Sequence, residues 1–234
     1  MPRFLLLPGL DGTGELLRDF AEVLAVLGPV EILRYPGDRP RDYDALCDEL
    51  AAQARIDGNC VLLAESFAGP LGIALAARAA VPPRGLVLCA SFAVSPLPWL
   101  RRLAPLTHWL PVHGVPRRLS DALLLGRWAT PRWSAKLDAA LRQVPAPVLR
   151  ARLRAALCVD RRHELRALRC PVLYLQATAD RVIPPYAARC IVAQRPDLVR
   201  VRIDGPHFLL QAAPNEAVEA IRRFLAALPC EPLP

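Results

Sequence analysis

The sequence predicts an α/β fold: a mostly parallel six-stranded sheet with helices on both faces and one inserted helical lid. Three observations predict it. Short apolar runs alternate with longer stretches at helical spacing, the pattern of strand–helix–strand units. The chain has 234 residues and is 53% hydrophobic, enough for one domain whose core needs no disulfide or metal support. One long segment breaks the alternation with many prolines, helix-like pieces and no clear strand.

The elements follow in order. "FLLL" (4–7) is a continuous apolar run and reads as a strand buried on both faces. "GELLRDFAEVLAVLG" (14–28) carries apolar residues at helical spacing and stops at Gly28-Pro29. "VEILRYP" (30–36) is a second strand. "DYDALCDELAAQAR" (42–55) is a second helix, with acidic residues in its first turn. "NCVLLAES" (59–66), "FAGPLGIALAARAA" (67–80) and "GLVLCAS" (85–91) give a third strand, a third helix and a fourth strand. "PVLYLQATAD" (171–180), a helical stretch near 185–195, "LVRVRIDG" (198–205) and a last helix, "NEAVEAIRRFLAAL" (215–228), complete the set. The core is therefore expected in residues 1–96 and 169–234, and the lid in residues 97–168.

Charged residues are 22% of the chain, too many apolar partners accompany them for disorder, and no apolar run is long enough to span a membrane. The run at 4–10 is broken at once by Pro8 and Gly9, so it does not read as a secretory signal. Seven cysteines are present, and no two lie closer than twelve positions. This spacing argues against a disulfide framework and a zinc site, and for free thiols in a reducing, cytoplasmic compartment.

"VLLAESFAGP" (61–70) holds the residue that carries chemistry. Ser66 falls at the end of a strand, at the sheet edge where ligands bind in parallel α/β folds. Ala64 and Ala68 flank it two places away, as a sharp strand-to-helix turn requires. A serine in such a turn also serves elsewhere as a helix cap. A hydroxyl becomes a nucleophile when a base and an orienting carboxylate accompany it. Of four histidines, only His207 follows a strand, in a Gly-Pro loop at the same edge. Asp180 sits just past the 171–177 strand and is the expected acid; Asp160 is the second candidate, and Asp204 lies too close to His207 in sequence.

Ser66, Asp180 and His207 stand in the nucleophile–acid–base order of the α/β-hydrolase superfamily. The chain resembles that family over nearly its whole length. "AESFAG" resembles its nucleophile elbow, with alanine in place of both glycines, and "ATADRVIP" its acid loop, with Ala177 for glycine. "GPHFLLQAAP" is similar to its histidine loop, and "LLLPGLDGTG" to its oxyanion loop, with Pro8 for histidine. The resemblance implies an oxyanion hole formed by the backbone N–H groups of Leu10 and Phe67. It implies cleavage of carboxylic esters or thioesters through an acyl-enzyme, with no metal and no organic cofactor. In layout the chain resembles small lidded bacterial carboxylesterases and thioesterases, including those acting on pimeloyl carrier-protein methyl esters. Acyl transfer by the same triad, or a non-catalytic binding role on the same fold, are the alternatives.

The net charge is +8, and it is unevenly placed. Residues 97–169 hold fifteen basic and four acidic side chains, +11; the remainder holds fifteen and eighteen, −3. Trp99, Trp109, Trp128 and Trp133 all lie in this segment, with Arg117, Arg118, Arg150, Arg152 and Arg154. Two readings stay open. These residues form an ordinary amphipathic lid, or they roof an apolar acyl pocket and dock an anionic partner such as an acidic acyl carrier protein. No nucleic-acid recognition motif accompanies the charge.

Overall fold

In the computed structural model, which describes residues 1–228, the first apolar run becomes β1 (Arg3–Leu7). A 3₁₀ turn at Glu15–Leu17 leads into α1 (Arg18–Leu24), and β2 (Val30–Ile32) follows. α2 (Tyr43–Gln53) is capped by Asp42, whose carboxylate accepts the Ala45 N–H at 2.9 Å. β3 (Cys60–Glu65) passes through a 3₁₀ turn, Ser66–Ala68, into α3 (Gly69–Arg78), and then comes β4 (Gly85–Cys89).

The long connection after β4 is helical. It winds through a 3₁₀ stretch, Pro98–Trp109, then α4 (Arg117–Leu124), α5 (Pro131–Arg142), α6 (Ala146–Cys158) and α7 (Arg162–Ala167). Proline is the first residue of the Pro98–Trp109 stretch and of α5 and the second of α6, where its missing N–H costs nothing. The chain returns to the sheet with β5 (Val172–Ala177), α8 (Pro185–Gln194), β6 (Val199–Ile203), α9 (Leu209–Ala212) and α10 (Pro214–Ala226).

The strand order is β2-β1-β3-β4-β5-β6, and every neighbouring pair is parallel. Successive residues of β1 feed opposite layers. Leu5 and Leu7 pack with α2, α3, α7 and α8, while Phe4 and Leu6 pack with α1, α9 and α10. That double burial is why β1, β3, β4 and β5 read as mostly apolar runs. β6 lies at the edge, and its "VRVRI" alternates with only Ile203 buried.

β2 is shorter than the expected 30–36 strand. Leu33 N–H still reaches the Leu6 carbonyl at 2.9 Å, but Tyr35 N–H bonds the Gly12 carbonyl instead, also at 2.9 Å. The chain there follows the loop after β1, away from the sheet. The chain runs from β1 outward to β2 and then across to β3, so β1 and β3 diverge at a topological switch. The crevice beyond their C-terminal ends is the ligand position of such sheets.

Candidate active site

Ser66 occupies that crevice. Its φ of 53° lies in the left-handed region that a non-glycine residue adopts only under constraint. From Cys60 to Ala76 every residue is buried except Ser66, so the turn lifts one side chain out of a packed layer. Small neighbours make the turn sterically feasible. Ala64 and Ala68 are fully buried, and a Cβ on Gly72 would lie 2.8 Å from the Ala64 methyl. A Cβ on Gly69 would overlap Ser91 Oγ, which itself donates to the Ser66 carbonyl. Phe67 is held from the other side, since the Tyr43 ring stacks on it at 4.7 Å and the Tyr43 hydroxyl donates to its carbonyl at 2.9 Å.

Ser66 Oγ lies 2.8 Å from His207 Nε2, and His207 Nδ1 lies 3.0 and 3.1 Å from the two oxygens of Asp180. An ionised carboxylate only accepts, so the His207 proton sits on Nδ1 and Nε2 is left to accept from the serine. The Val182 and Ile183 N–H groups each donate to Asp180 Oδ1 at 2.8 Å, which fixes the carboxylate. The two loops meet because they run side by side beyond β5 and β6. Thr178 N–H bonds the Ile203 carbonyl at 3.0 Å, and Ala179 N–H bonds the Gly205 carbonyl at 2.9 Å. Asp160 and Asp204 are engaged elsewhere. Asp160 pairs with Arg162 at 2.6 Å, and Asp204 bonds Arg127 at 2.6 Å and Thr178 at 3.0 Å.

Such an arrangement can deprotonate a hydroxyl as it attacks an electrophilic carbon and return the proton to a leaving group. It opens onto a cavity of about 400 Å³. Leu10, Phe67, Ser66 and His207 share the polar end of this cavity, and a Cβ added to Gly9 of the β1 loop would lie 4.0 Å from the Ser66 Cβ. The far walls are apolar side chains of the β4–β5 connection, among them Leu100, Leu110, Leu137 and Leu157.

Asp11, Glu65 and Thr107 are polar wall residues that the sequence did not single out, and Glu65 is the one without a full set of partners. Glu65 is buried, lines the same cavity, and its Oε1 has no hydrogen-bond partner among the described residues. Burial pushes its carboxyl up to about 7, against smaller lowering effects from Gln211 and His207. The available signal was an acid at the end of the otherwise apolar run 60–64.

The arginines and tryptophans of the connection need a correction. Arg152 is not on a surface: it is 1% exposed, with its guanidinium turned toward the β1 loop. It stands one α-helical repeat from Val148 and Leu149, on the buried stripe of α6. Arg150 is half-buried and donates to the Leu110 carbonyl at 2.9 Å. Arg117, Arg118 and Arg154 are exposed. None of the four tryptophans lines the cavity. Trp99 and Trp109 face outward, and Trp128 and Trp133 lie beneath Arg127 and Lys136 at 4.1 and 5.0 Å. Leucine, not tryptophan, builds the apolar wall. Six cysteines of the described residues are free; Cys230 lies outside them. No helix among the described residues is long and apolar enough to cross a membrane.

The chain is 31% identical to the polyketide synthase ThaQ of Burkholderia thailandensis over 96% of its own length, but spans only 12% of that protein. A thermophilic esterase from Thermogutta terrifontis superposes with a TM-score of 0.82 at 21% identity, covering 97% of this chain and 90% of that one. An enol-lactonase from Burkholderia xenovorans LB400 superposes with a TM-score of 0.81 at 19% identity, covering 96% and 91%. These two likenesses concern the fold. Residues 4–221 match the model of the alpha/beta hydrolase family, and the chain belongs to that family.

Proposed function

We propose that this protein is a serine hydrolase that cleaves carboxylic esters or thioesters of an apolar acyl chain. The observation that carries the proposal is the 2.8 Å contact between Ser66 Oγ and His207 Nε2 at the polar end of a leucine-walled cavity. Ser66 attacks the acyl carbon, and His207 takes its proton and gives it to the leaving alcohol or thiol. Asp180 holds the imidazole tautomer and stabilises the imidazolium that forms. The N–H groups of Leu10 and Phe67 receive the negative charge that develops on the acyl oxygen. Water then releases the acyl group by the same steps in reverse.

Residues 97–168 form the lid, and its outer face favours a carrier-bound substrate. Eight of the twelve exposed large apolar side chains of the described residues lie between Trp99 and Leu123. Arg101, Arg102, Arg117 and Arg118 are exposed among them. The Pro98–Trp109 stretch joins that face to the site, since Leu100 and Thr107 line the cavity while Trp99, Leu103 and Leu106 point outward. An acidic acyl carrier protein fits such a basic, apolar-studded surface. Kinship with part of a polyketide synthase fits a thioester-linked chain.

The test is a series of p-nitrophenyl esters and acyl thioesters of rising chain length, run with the protein and with Ser66→Ala. The expected result is turnover that rises with apolar chain length until the cavity is filled and that vanishes in the variant. Equal rates in the two proteins would refute the reading.

A further inference from the structure

A guanidinium is an expensive group to bury, and Arg152 is the largest fully buried side chain among the described residues. Leucine in its place would continue the apolar stripe of Val148 and Leu149. Arg152 also lacks the usual compensation. The nearby Asp11 carboxylate faces Thr13 instead, accepting its N–H at 2.9 Å and its hydroxyl at 2.5 Å. What Arg152 meets is backbone. Nη1 donates to the carbonyls of Leu10 and Asp11 at 3.0 and 2.6 Å, and Nη2 to that of Pro36 at 3.2 Å.

Those bonds complete a pattern over four successive residues. The Pro8 carbonyl accepts the Tyr35 hydroxyl at 2.7 Å, and the Gly9 carbonyl accepts the Gly12 N–H at 3.1 Å. The Leu10 and Asp11 carbonyls accept Arg152. The Tyr35 ring, 5.4 Å from the guanidinium, joins the two halves of the clamp. Gly12 has φ +65°, and a Cβ there would lie 2.8 Å from Nη1, so the loop leaves room for the guanidinium and nothing more. In a trans peptide the N–H points opposite to the carbonyl it is joined to. Fixing the Gly9 carbonyl, and the peptides on either side of it, therefore fixes where the Leu10 N–H points.

We propose that Arg152 is the positioning residue of the oxyanion site: its clamp on the Leu10 and Asp11 carbonyls holds the Leu10 N–H in place and ties that placement to the seating of α6. Leu153, Ala156 and Leu157 of the same helix line the cavity. α6 thus shapes the acyl wall and sets the donor together. The proposal rests on the serine-hydrolase reading given above, with the Leu10 N–H as an oxyanion donor.

The test uses the whole chain with Arg152→Met, which fills the stripe without a charge, and Arg152→Lys, which keeps the charge but cannot span three carbonyls. Circular dichroism and the urea midpoint check the fold. Should Arg152→Met lose its native spectrum, Arg152→Lys carries the test. Removing an oxyanion donor outright lowers kcat by about 10²–10³-fold, so loosening one should lower it about 10- to 100-fold. KM for a p-nitrophenyl ester should stay within about threefold, because ground-state binding is left alone. A trifluoromethyl ketone, whose adduct with Ser66 carries the oxyanion, should lose affinity by the same factor as kcat/KM. Added guanidinium ion should restore part of the rate to Arg152→Ala. A folded Arg152→Met with wild-type kcat, or one whose kcat falls while the ketone binds as before, overturns the proposal. Ser66→Ala separates the two levels. If it retains full activity the hydrolase reading fails, and if it is dead while the Arg152 variants match wild type only the positioning role fails.

Discussion

Asp180 and Asp160 differ in what surrounds them, and that difference predicts opposite phenotypes. Asp180 faces both the His207 ring and two backbone N–H groups, whereas Asp160 is half-exposed and paired with its neighbour Arg162. Asp180→Asn should lower kcat by about 10³–10⁴-fold, by favouring the wrong imidazole tautomer. Asp160→Asn should leave kcat within about twofold, since an exposed ion pair contributes little. Steady-state kinetics on one ester decides it, and a damaging Asp160→Asn would move the acid to the end of the β4–β5 connection. Glu65 makes a different prediction. Its folded-state value of about 7 lies above the ordinary 4.5, so the folded protein keeps a proton that the unfolded chain gives up. Its contribution is fully present below about 4.5 and is lost as pH rises through about 7. The gap corresponds to about 3 kcal/mol. Urea unfolding at pH 5 and pH 8 should show the wild type losing more stability than Glu65→Gln. Parallel losses would mean that Glu65 ionises normally.

At the scale of elements, the elbow depends on close approach between α3 and the chain after β4. A methyl at Gly69 would strike Ser91 Oγ and lie 2.9 Å from the Phe92 carbonyl, a backbone atom that cannot swing aside. Gly69→Ala should cost about 1–3 kcal/mol, read as a lower urea midpoint, and should slow turnover because Ser91 also holds the Ser66 carbonyl. An unchanged midpoint would show that α3 shifts freely. The same packing explains what was legible beforehand. β1, β3, β4 and β5 lie inside two layers and announce themselves as mostly apolar runs. Ser66, Asp180 and His207 could be singled out because each follows a strand, Ser66 and Asp180 after apolar β3 and β5 and His207 after the alternating edge strand β6, and parallel strand ends share one edge. β2 was read too long because "RYP" keeps an extended backbone while pairing with the β1 loop, and local pattern does not distinguish the two partners. Arg152 was placed on the surface because charge is a good guide to exposure only when the facing element is known. Its helix stripe is visible in sequence; the carbonyls of the β1 loop, about 140 residues away, are not. Glu65 escaped for a similar reason, since its isolation inside the cavity is a property of the folded wall.

The whole molecule carries a +11 segment, residues 97–169, on a remainder of −3. An acidic carrier should feel that field at long range and lose it in salt, as the screening length falls from about 10 Å at 0.1 M to about 3 Å at 1 M. kcat/KM for a carrier-bound acyl chain should therefore fall with salt, while the same chain on a neutral alcohol should show a flat profile. Arg101→Glu, Arg102→Glu, Arg117→Glu and Arg118→Glu together should hurt only the carrier substrate. Parallel salt profiles would make the surface a solvated face of a general ester hydrolase.

The kinetic expectations presuppose an activated serine. The most direct measurement is reaction with a fluorophosphonate probe, followed by mass spectrometry of the intact protein and of its peptides. A single adduct on Ser66, abolished by Ser66→Ala and strongly slowed by His207→Gln, is the predicted result. A folded protein that remains unlabelled, or one labelled at another residue, would contradict it.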